Sequence, residues 1–294
     1  MGGFESIFRP DLFRDQVILV TGGGSGIGRC TAHELAALGA TVVIAGRRRE
    51  MLEKTAAEIA ESGGRADLFE LDIRDEERVN AVFEALLSRH GRLDGLFNNA
   101  GAAFISPAAD MKPKGFRAVV DINLNGTFIM CRAAYNHTMK EHGGVIVNMS
   151  ADADTGMPLI VHSSACSAGI ENLTRTLALE WCTAGVRVNV VAPGPILSSG
   201  LVVHSREIQE QGIALIKDIP AGRYGTESEV SAAAAFLLSP AAAYITGEKI
   251  IIAGGSQLQK VRRVSVGGEP RTKPFNGFHR SPDLAGSVFE GMME

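Results

Sequence analysis

The chain has 294 residues, of which 45% are hydrophobic and 21% are charged, and its formal net charge is −4. This composition is typical of a globular protein with a sizeable core, and the absence of a basic block argues against a nucleic-acid partner. No apolar run approaches the roughly 18 residues that a membrane span needs, so we expect no membrane partner. The four cysteines are scattered without metal-ligand spacing, which favours a reduced, cytoplasmic location and no metal site.

Strand and helix patterns alternate along the chain up to about residue 255. Short apolar runs predict buried strands at 17–21, 41–45, 67–71, 94–98, 145–149, 187–191 and 249–253. Helical stretches fall between them, at 27–38, 49–62, 75–89, 113–141, 163–183 and 227–238. This alternation predicts an α/β fold with a doubly wound, mainly parallel seven-stranded sheet and helices on both faces. We predict one domain over residues 1–255 and a C-terminal extension over 256–294, which is expected to lie on another subunit or to be partly disordered.

The first predicted strand runs directly into a glycine-rich turn, and a helix opens behind it. The residues of this turn are Thr21, Gly22, Gly23, Gly24, Ser25, Gly26, Ile27 and Gly28. Glycines lack Cβ atoms, so backbone N–H groups can approach a pyrophosphate at the helix N-terminus. A strand before the turn, a helix after it and a second strand at 41–45 together indicate a dinucleotide-binding unit.

The residues after the second strand bear on which dinucleotide is bound. A carboxylate there would favour NAD by hydrogen bonding the ribose 2′-hydroxyl, but Arg47 follows the strand directly, with Arg48 beside it. A guanidinium can pair with a 2′-phosphate, so NADP(H) is the preferred cofactor and NAD(H) is the alternative. Asp72 and Ile73 follow the third strand and are placed to reach the adenine.

Further motifs carry a family resemblance. The Thr-Gly-x-x-x-Gly-x-Gly turn is followed by Asn98-Asn99-Ala100-Gly101, by Asn123 in Asp-Ile-Asn-Leu-Asn-Gly-Thr and by Pro193-Gly194. In order and spacing this set resembles the short-chain dehydrogenase/reductase family over roughly residues 15–255. The resemblance implies a Rossmann fold, a substrate lid over 194–226 and assembly into a homodimer or homotetramer. It also implies cofactor contacts from Asn99, Ala100, Gly101, Pro193, Gly194, Ile196 and Ser198.

The chain departs from that family at the catalytic positions. The family's serine corresponds to Ser150, but Ser163 stands at the tyrosine position and Ser167 at the lysine position. Val161-His162-Ser163 resembles the peroxisomal trans-2-enoyl-CoA reductases and their bacterial relatives, and related bacterial chains resemble citronellol-type dehydrogenases. The candidate catalytic residues are therefore Asn123, Ser150, Ser163 and Ser167.

The resemblance implies NADP(H)-dependent hydride transfer to or from an enoyl-CoA, an enal or a related alcohol–carbonyl substrate. Serine hydroxyls could stabilise the enolate formed when a conjugated double bond is reduced, with the proton coming from water, His162 or Asp152. Two alternatives stay open. One is a terpenoid alcohol dehydrogenase of the citronellol/citronellal type, and the other is a cofactor-binding homologue with little or no catalysis.

Overall fold

The computed structural model describes residues 6–199, 206–258, 272–277 and 288–289. In chain order the strands are β1 (Val17–Thr21), β2 (Thr41–Gly46), β3 (Arg65–Glu70), β4 (Gly95–Asn98), β5 (Gly144–Met149), β6 (Val186–Pro193), β7 (Ile196–Leu197), β8 (Gly225–Thr226) and β9 (Lys249–Ile252). Seven of them form one parallel sheet in the order β3-β2-β1-β4-β5-β6-β9, and β7 pairs separately with β8. The strand order reverses beside β1, so the carboxyl ends of β1 and β4 border a crevice suited to a ligand.

The helices are α1 (Gly26–Ala37), α2 (Arg49–Glu61), α3 (Glu76–His90), α4 (Pro113–Val120), α5 (Gly126–Ala134), α6 (Lys140–His142), α7 (Val161–Trp181), α8 (Arg206–Leu215) and α9 (Glu227–Leu238). Alternate β1 residues face opposite sides of the sheet: Leu19 joins the core under α3, α5 and α7, and Val20 joins the core under α1, α2 and α9. The predicted doubly wound α/β fold with helices on both faces is confirmed. No helix in the described part of the chain has the length and apolar character to cross a membrane.

The structure differs from the sequence expectation in the helix predicted over 113–141 and in region 194–226. The helix predicted over 113–141 is interrupted by π-helical turns at Asp121–Asn125 and Tyr135–Met139. The region 194–226, predicted as irregular around a short helix-like piece, contains the β7–β8 pair as well as α8. Two-residue strands are too short to show an alternating pattern, and a π turn keeps the composition of the helix around it. Residues 200–205 of this region lie outside the described residues.

Residues 272–277 and 288–289 of the C-terminal extension pack on region 194–226 of their own chain, and the expectation that the extension lies on another subunit or is partly disordered stays a prediction. Thr226 Oγ1 donates a hydrogen bond to the carbonyl of Phe275 at 2.7 Å. Phe289 is fully buried against Leu197 and Tyr224, and the ring centroids of Phe289 and Tyr224 are 6.0 Å apart. An apolar cluster of this kind has no sequence periodicity, so its formation could not be predicted from the glycine- and arginine-rich sequence of the tail. The remaining residues of 259–294 lie outside the described part.

We predict that Phe289→Ala loosens the region around α8. Removing a fully buried aromatic ring leaves a cavity against Leu197 and Tyr224, and local opening follows because few other apolar side chains hold this cluster. Limited trypsin cleavage at the exposed Lys217 should become about tenfold faster while the main sheet stays intact. Leu258→Ala, at a side chain that is 78% exposed, is the matched control. An unchanged cleavage rate for Phe289→Ala would contradict the prediction.

Candidate active site

The glycine-rich turn is held against the end of β4 by a close backbone approach. A Cβ atom on Gly28 would lie 2.4 Å from both the carbonyl oxygen of Gly22 and the amide nitrogen Nδ2 of Asn99. Thr21 Oγ1 accepts hydrogen bonds from the backbone N–H groups of Asn99 and Ala100, each at 3.0 Å. Thr21 and Gly28 therefore do not line the cleft above this turn. They position the turn and the residues after β4.

A cleft of about 360 Å³ lies over the N-terminus of α1 and the carboxyl ends of β1 to β4. Most of the cofactor-binding residues predicted from the sequence line it: Gly22, Gly24, Ser25, Gly26, Ile27, Arg47, Arg48, Asp72, Ile73, Asn99, Ala100, Gly101 and Ser198. Sequence reasoning missed six further lining residues, which are Gly46, Met51, Leu52, Leu71, Ile122 and Ser199. These are mainly apolar or small residues that carry no chemical signature of their own.

The geometry of this cleft fits a dinucleotide. Ser25, the residue before α1, makes no side-chain cap hydrogen bond, so no side chain occupies the N–H groups of the first helical turn. Those groups and the positive end of the helix dipole favour an anion such as a diphosphate. A Cβ atom on Gly22 would lie 2.7 Å from Asn99 Nδ2 and one on Gly28 2.4 Å from it, so the two glycines let the turn pack closely against the residues after β4.

The outer end of the cleft is positively charged. Arg47 and Arg48 are both exposed there, and Arg48 Nη2 donates to Ser25 Oγ at 3.2 Å. Asp72 is paired with Arg74, whose Nε donates to Asp72 Oδ1 at 2.9 Å, and this contact holds the pKa of Asp72 below its usual range. The carboxylate at this end is thus neutralised by Arg74, which leaves the two exposed guanidinium groups to face an anionic ligand.

A second cleft of about 450 Å³ continues from the first and shares Ile27, Asn99, Ala100, Gly101 and Ser198 with it. The structure brings all four candidate catalytic residues together on its walls: Asn123, Ser150, Ser163 and Ser167. Pro193, Gly194 and Ile196 close one side. Sequence reasoning missed the mostly apolar remainder of the wall, which comprises Ala102, Ala103, Thr127, Met149, Ala151, Met157, Ile160, Ile170 and Pro195.

Three of the hydroxyl groups that border this second cleft belong to the candidate catalytic serines. Ser163 and Ser167 lie one turn apart on α7 and are 8% and 4% exposed. Ser150, at the end of β5, has a buried Oγ without a hydrogen-bond partner among the described residues. A buried hydroxyl without a partner is unfavourable unless a ligand or water completes it, so Ser150 has a free donor for a bound molecule.

Asn123 sits in the first π turn, and its side chain fixes the loop after β4. Its Oδ1 accepts from the backbone N–H of Ala102 at 2.8 Å, and its Nδ2 donates to the carbonyl of Ala102 at 3.0 Å. Each amide atom keeps one further hydrogen-bonding position. The extra residue of the π turn thus places a polar side chain between the loop and the cleft.

His162 and Asp152, the two protein groups considered as proton donors, do not line either cleft. His162 is fully buried at the edge of the Phe104 ring, and its Nδ1 accepts from the backbone N–H of Ser163 at 2.6 Å. Burial lowers the pKa of His162, partly offset by the backbone of Phe104. Burial and the nearby Asp154 raise the pKa of Asp152, whose Oδ2 accepts from Ser256 Oγ at 3.5 Å. Neither side chain is therefore placed to protonate a molecule bound in the two clefts.

Comparisons with known proteins agree with this geometry. A family model described as Enoyl-(Acyl carrier protein) reductase matches residues 22–257. The chain is 41% identical over 246 residues to the probable 2,4-dienoyl-CoA reductase [(2E)-enoyl-CoA-producing] of Bacillus subtilis, which covers 83% of this chain and 97% of that protein. It is 37% identical over 266 residues to the peroxisomal 2,4-dienoyl-CoA reductase [(3E)-enoyl-CoA-producing] of Danio rerio, and this match covers 90% of this chain and 89% of that protein.

Among solved structures, the citronellol catabolism dehydrogenase of Pseudomonas aeruginosa PAO1 superposes with a TM-score of 0.78. It is 50% identical in sequence, and the match covers 86% of this chain and 100% of that one. The family model spans most of the chain, and each of these matches covers more than four fifths of both proteins. With the glycine turn, the Asn-Asn-Ala-Gly turn and the cleft between them, they show that the chain belongs to the short-chain dehydrogenase/reductase family of oxidoreductases.

Proposed function

We propose that this protein uses NADP(H) to reduce the conjugated double bond of an enoyl or dienoyl thioester. The observation that carries the proposal is the make-up of the second cleft. Its described walls present the hydroxyls of Ser150, Ser163 and Ser167, and they contain no tyrosine, lysine or carboxylate. Hydroxyl donors suit a reaction in which charge accumulates on a thioester oxygen, whereas reduction of an isolated ketone needs a strong acid beside the new alkoxide.

In the proposed mechanism the nicotinamide, when bound, supplies the hydride to the end of the conjugated system. The negative charge that develops on the thioester oxygen is stabilised by hydrogen bonds from Ser150 and Ser163. Ser167 extends the donor set along α7, and Asn123 holds the loop that forms the opposite wall. A water molecule in the cleft then protonates Cα. With a 2-enoyl substrate the product is a saturated thioester, and with a 2,4-dienoyl substrate it is an enoyl thioester.

A preference for NADP(H) over NAD(H) is the second part of the proposal. The exposed guanidinium groups of Arg47 and Arg48 and the absence of a carboxylate at the end of β2 support it. Arg47→Ala is expected to weaken NADPH binding by roughly tenfold, the value of one charge-assisted hydrogen bond, and to leave NADH binding within about twofold. Fluorescence titration measures both. Arg49→Ala is the matched control, since Arg49 pairs with Glu53 outside the cleft. Equal losses for NADPH and NADH would contradict a 2′-phosphate contact.

A second function is supported by one observation, the 50% identity to the citronellol catabolism dehydrogenase structure. Under this alternative the protein oxidises a terpenoid alcohol. The deciding experiment follows the absorbance of reduced cofactor with 2-enoyl-CoA, 2,4-dienoyl-CoA, citronellal and citronellol as substrates. NADPH oxidation confined to the thioesters supports the main proposal, and NADP⁺ reduction by the alcohol supports the alternative. Cofactor binding without turnover on any substrate would indicate a homologue with little or no catalysis.

The homodimer or homotetramer and the cytoplasmic location remain predictions. Two exposed apolar side chains are consistent with assembly through these helices. Leu179 on α7 is 82% exposed, and Phe128 on α5 is 44% exposed. An interface between subunits over these helices would cover both side chains.

A further inference from the structure

A buried carboxyl group lies at the junction of the lid, the glycine-rich turn and α9. Glu227, the first residue of α9, is 2% exposed, and its Oε1 accepts a hydrogen bond from the backbone N–H of Ser199 at 3.3 Å. A Cβ atom built on Gly26 would lie 3.6 Å from the same Oε1 and 3.1 Å from Ser199 Oγ. Ser199 and Gly26 both line the cofactor cleft. Glu227 thus lies behind the cleft, hydrogen-bonded to Ser199 and close to Gly26.

The groups around Glu227 compensate its charge only in part. From α1 it faces Arg29 and Cys30, and the Cys30 thiol also lies near the carboxyl group of Glu34. Arg29 is already paired with Glu58, to which its Nε donates at 2.9 Å, and Glu34 is itself a buried carboxyl group held by hydroxyls of Ser6 and Ser231. Burial raises the pKa of Glu227 to about 7, although the Ser199 N–H and the more distant Arg29 favour the charged form.

We propose that Glu227 is a positioning residue that couples the lid to the phosphate-binding turn, and that dinucleotide binding draws a proton from solvent onto its carboxylate. The N–H groups at the start of α1 bring a diphosphate close to this group. The negative charges of the diphosphate and of the Glu227 carboxylate repel each other where little water screens them. A bound diphosphate therefore favours the neutral carboxylic acid form of Glu227. Neutral Glu227 still accepts from Ser199 with its carbonyl oxygen, and the lid contact is retained. The inference rests on dinucleotide binding and not on the substrate class.

The first test compares the pH dependence of NADPH binding in the wild type and in Glu227→Gln, which keeps the acceptor for Ser199 but cannot ionise. If binding moves the titration of Glu227 by one pKa unit, the wild type should lose about tenfold more affinity than the variant between pH 6 and pH 8.5. The 2′-phosphate of NADPH titrates in both proteins, so its effect cancels in the comparison. Glu84→Gln, at an exposed carboxylate on α3, is the control and should follow the wild type. Parallel pH profiles for wild type and Glu227→Gln would overturn the inference.

A second measurement uses the unaltered protein. Calorimetric titration with NADPH at pH 8, in two buffers of different ionisation enthalpy, should show uptake of about 0.4 proton per binding event for the same one-unit shift. At that pH the 2′-phosphate is ionised whether free or bound, so it contributes nothing. Binding without proton uptake would overturn the inference and leave the cofactor proposal standing, whereas no NADPH binding at any pH would overturn the cofactor proposal itself.

Discussion

Ser163→Ala should lower kcat for reduction of the enoyl or dienoyl thioester by about 100-fold, the effect of removing one donor from an oxyanion-binding site. By the family resemblance Ser163 stands at the tyrosine position, and in the structure it lines the second cleft and is 8% exposed. Its Oγ also lies 3.1 Å from His162 Nδ1, a nitrogen that already accepts from the Ser163 backbone N–H. That nitrogen has one lone pair, which the backbone N–H already uses, so the hydroxyl proton of Ser163 remains available to donate to a substrate oxygen.

Two further measurements make this prediction specific. The dissociation constant for NADPH should stay within about twofold, because a group that acts on the transition state contributes little to cofactor binding. The matched control is Ser164→Ala. Ser164 is the next residue of α7 and does not line the cleft, so this variant should behave like the wild type. A kcat for Ser163→Ala within threefold of the wild type would show that the hydroxyl is not a principal donor and would transfer that role to Ser150.

The sheet was largely predictable from the sequence because its strands are buried on both faces. β1, β2 and β5 are short, mostly apolar runs followed by turn residues, and such runs of four to eight residues are typical of buried strands. The edge strand β3 was placed two residues late because its first residues, Arg65 and Ala66, resemble the preceding loop in polarity. The π turns around Asn123 could not be predicted, since the residues of an expanded turn have ordinary helical propensity.

The parts of the site that depend on distant contacts were not predictable. Glu227 has the sequence pattern of an ordinary acidic residue in the first turn of a helix, where the dipole favours a negative charge. Only the packing of α9 against α1 and Ser199 shows that its carboxyl group is buried. Phe289 is a similar case, because its burial depends on Leu197 and Tyr224 and not on its neighbours in sequence. Local motifs identified most of the residues that line the clefts, and tertiary packing identified the residues behind them.

The largest effect on cofactor binding is expected from Gly28→Ala. The new methyl group would lie 2.4 Å from the carbonyl oxygen of Gly22 and from Asn99 Nδ2, and 2.9 Å from the Gly22 carbonyl carbon. Gly22 cannot move away freely, because its N–H donates to the carbonyl of Ala45 at 2.7 Å. Asn99 is likewise fixed, since its Nδ2 donates to the carbonyl of Thr21 at 3.0 Å. The new methyl group would therefore clash with the backbone of Gly22 and with the side chain of Asn99, which is itself hydrogen-bonded to the backbone of Thr21.

Overpacking of this kind costs roughly 2–3 kcal/mol of stability, which corresponds to a decrease in Tm of about 5–10 °C for a domain of this size. NADPH affinity should fall by about 100-fold, since the glycine turn must shift and each 1.4 kcal/mol is a factor of ten. Thermal denaturation and fluorescence titration measure the two effects. Gly63→Ala is the control: its φ of +80° strains any side chain, but nothing lies within 4 Å of the new methyl group. It should cost about 1 kcal/mol of stability and leave NADPH binding unchanged. NADPH affinity for Gly28→Ala within threefold of the wild type would contradict the placement of the diphosphate over this turn.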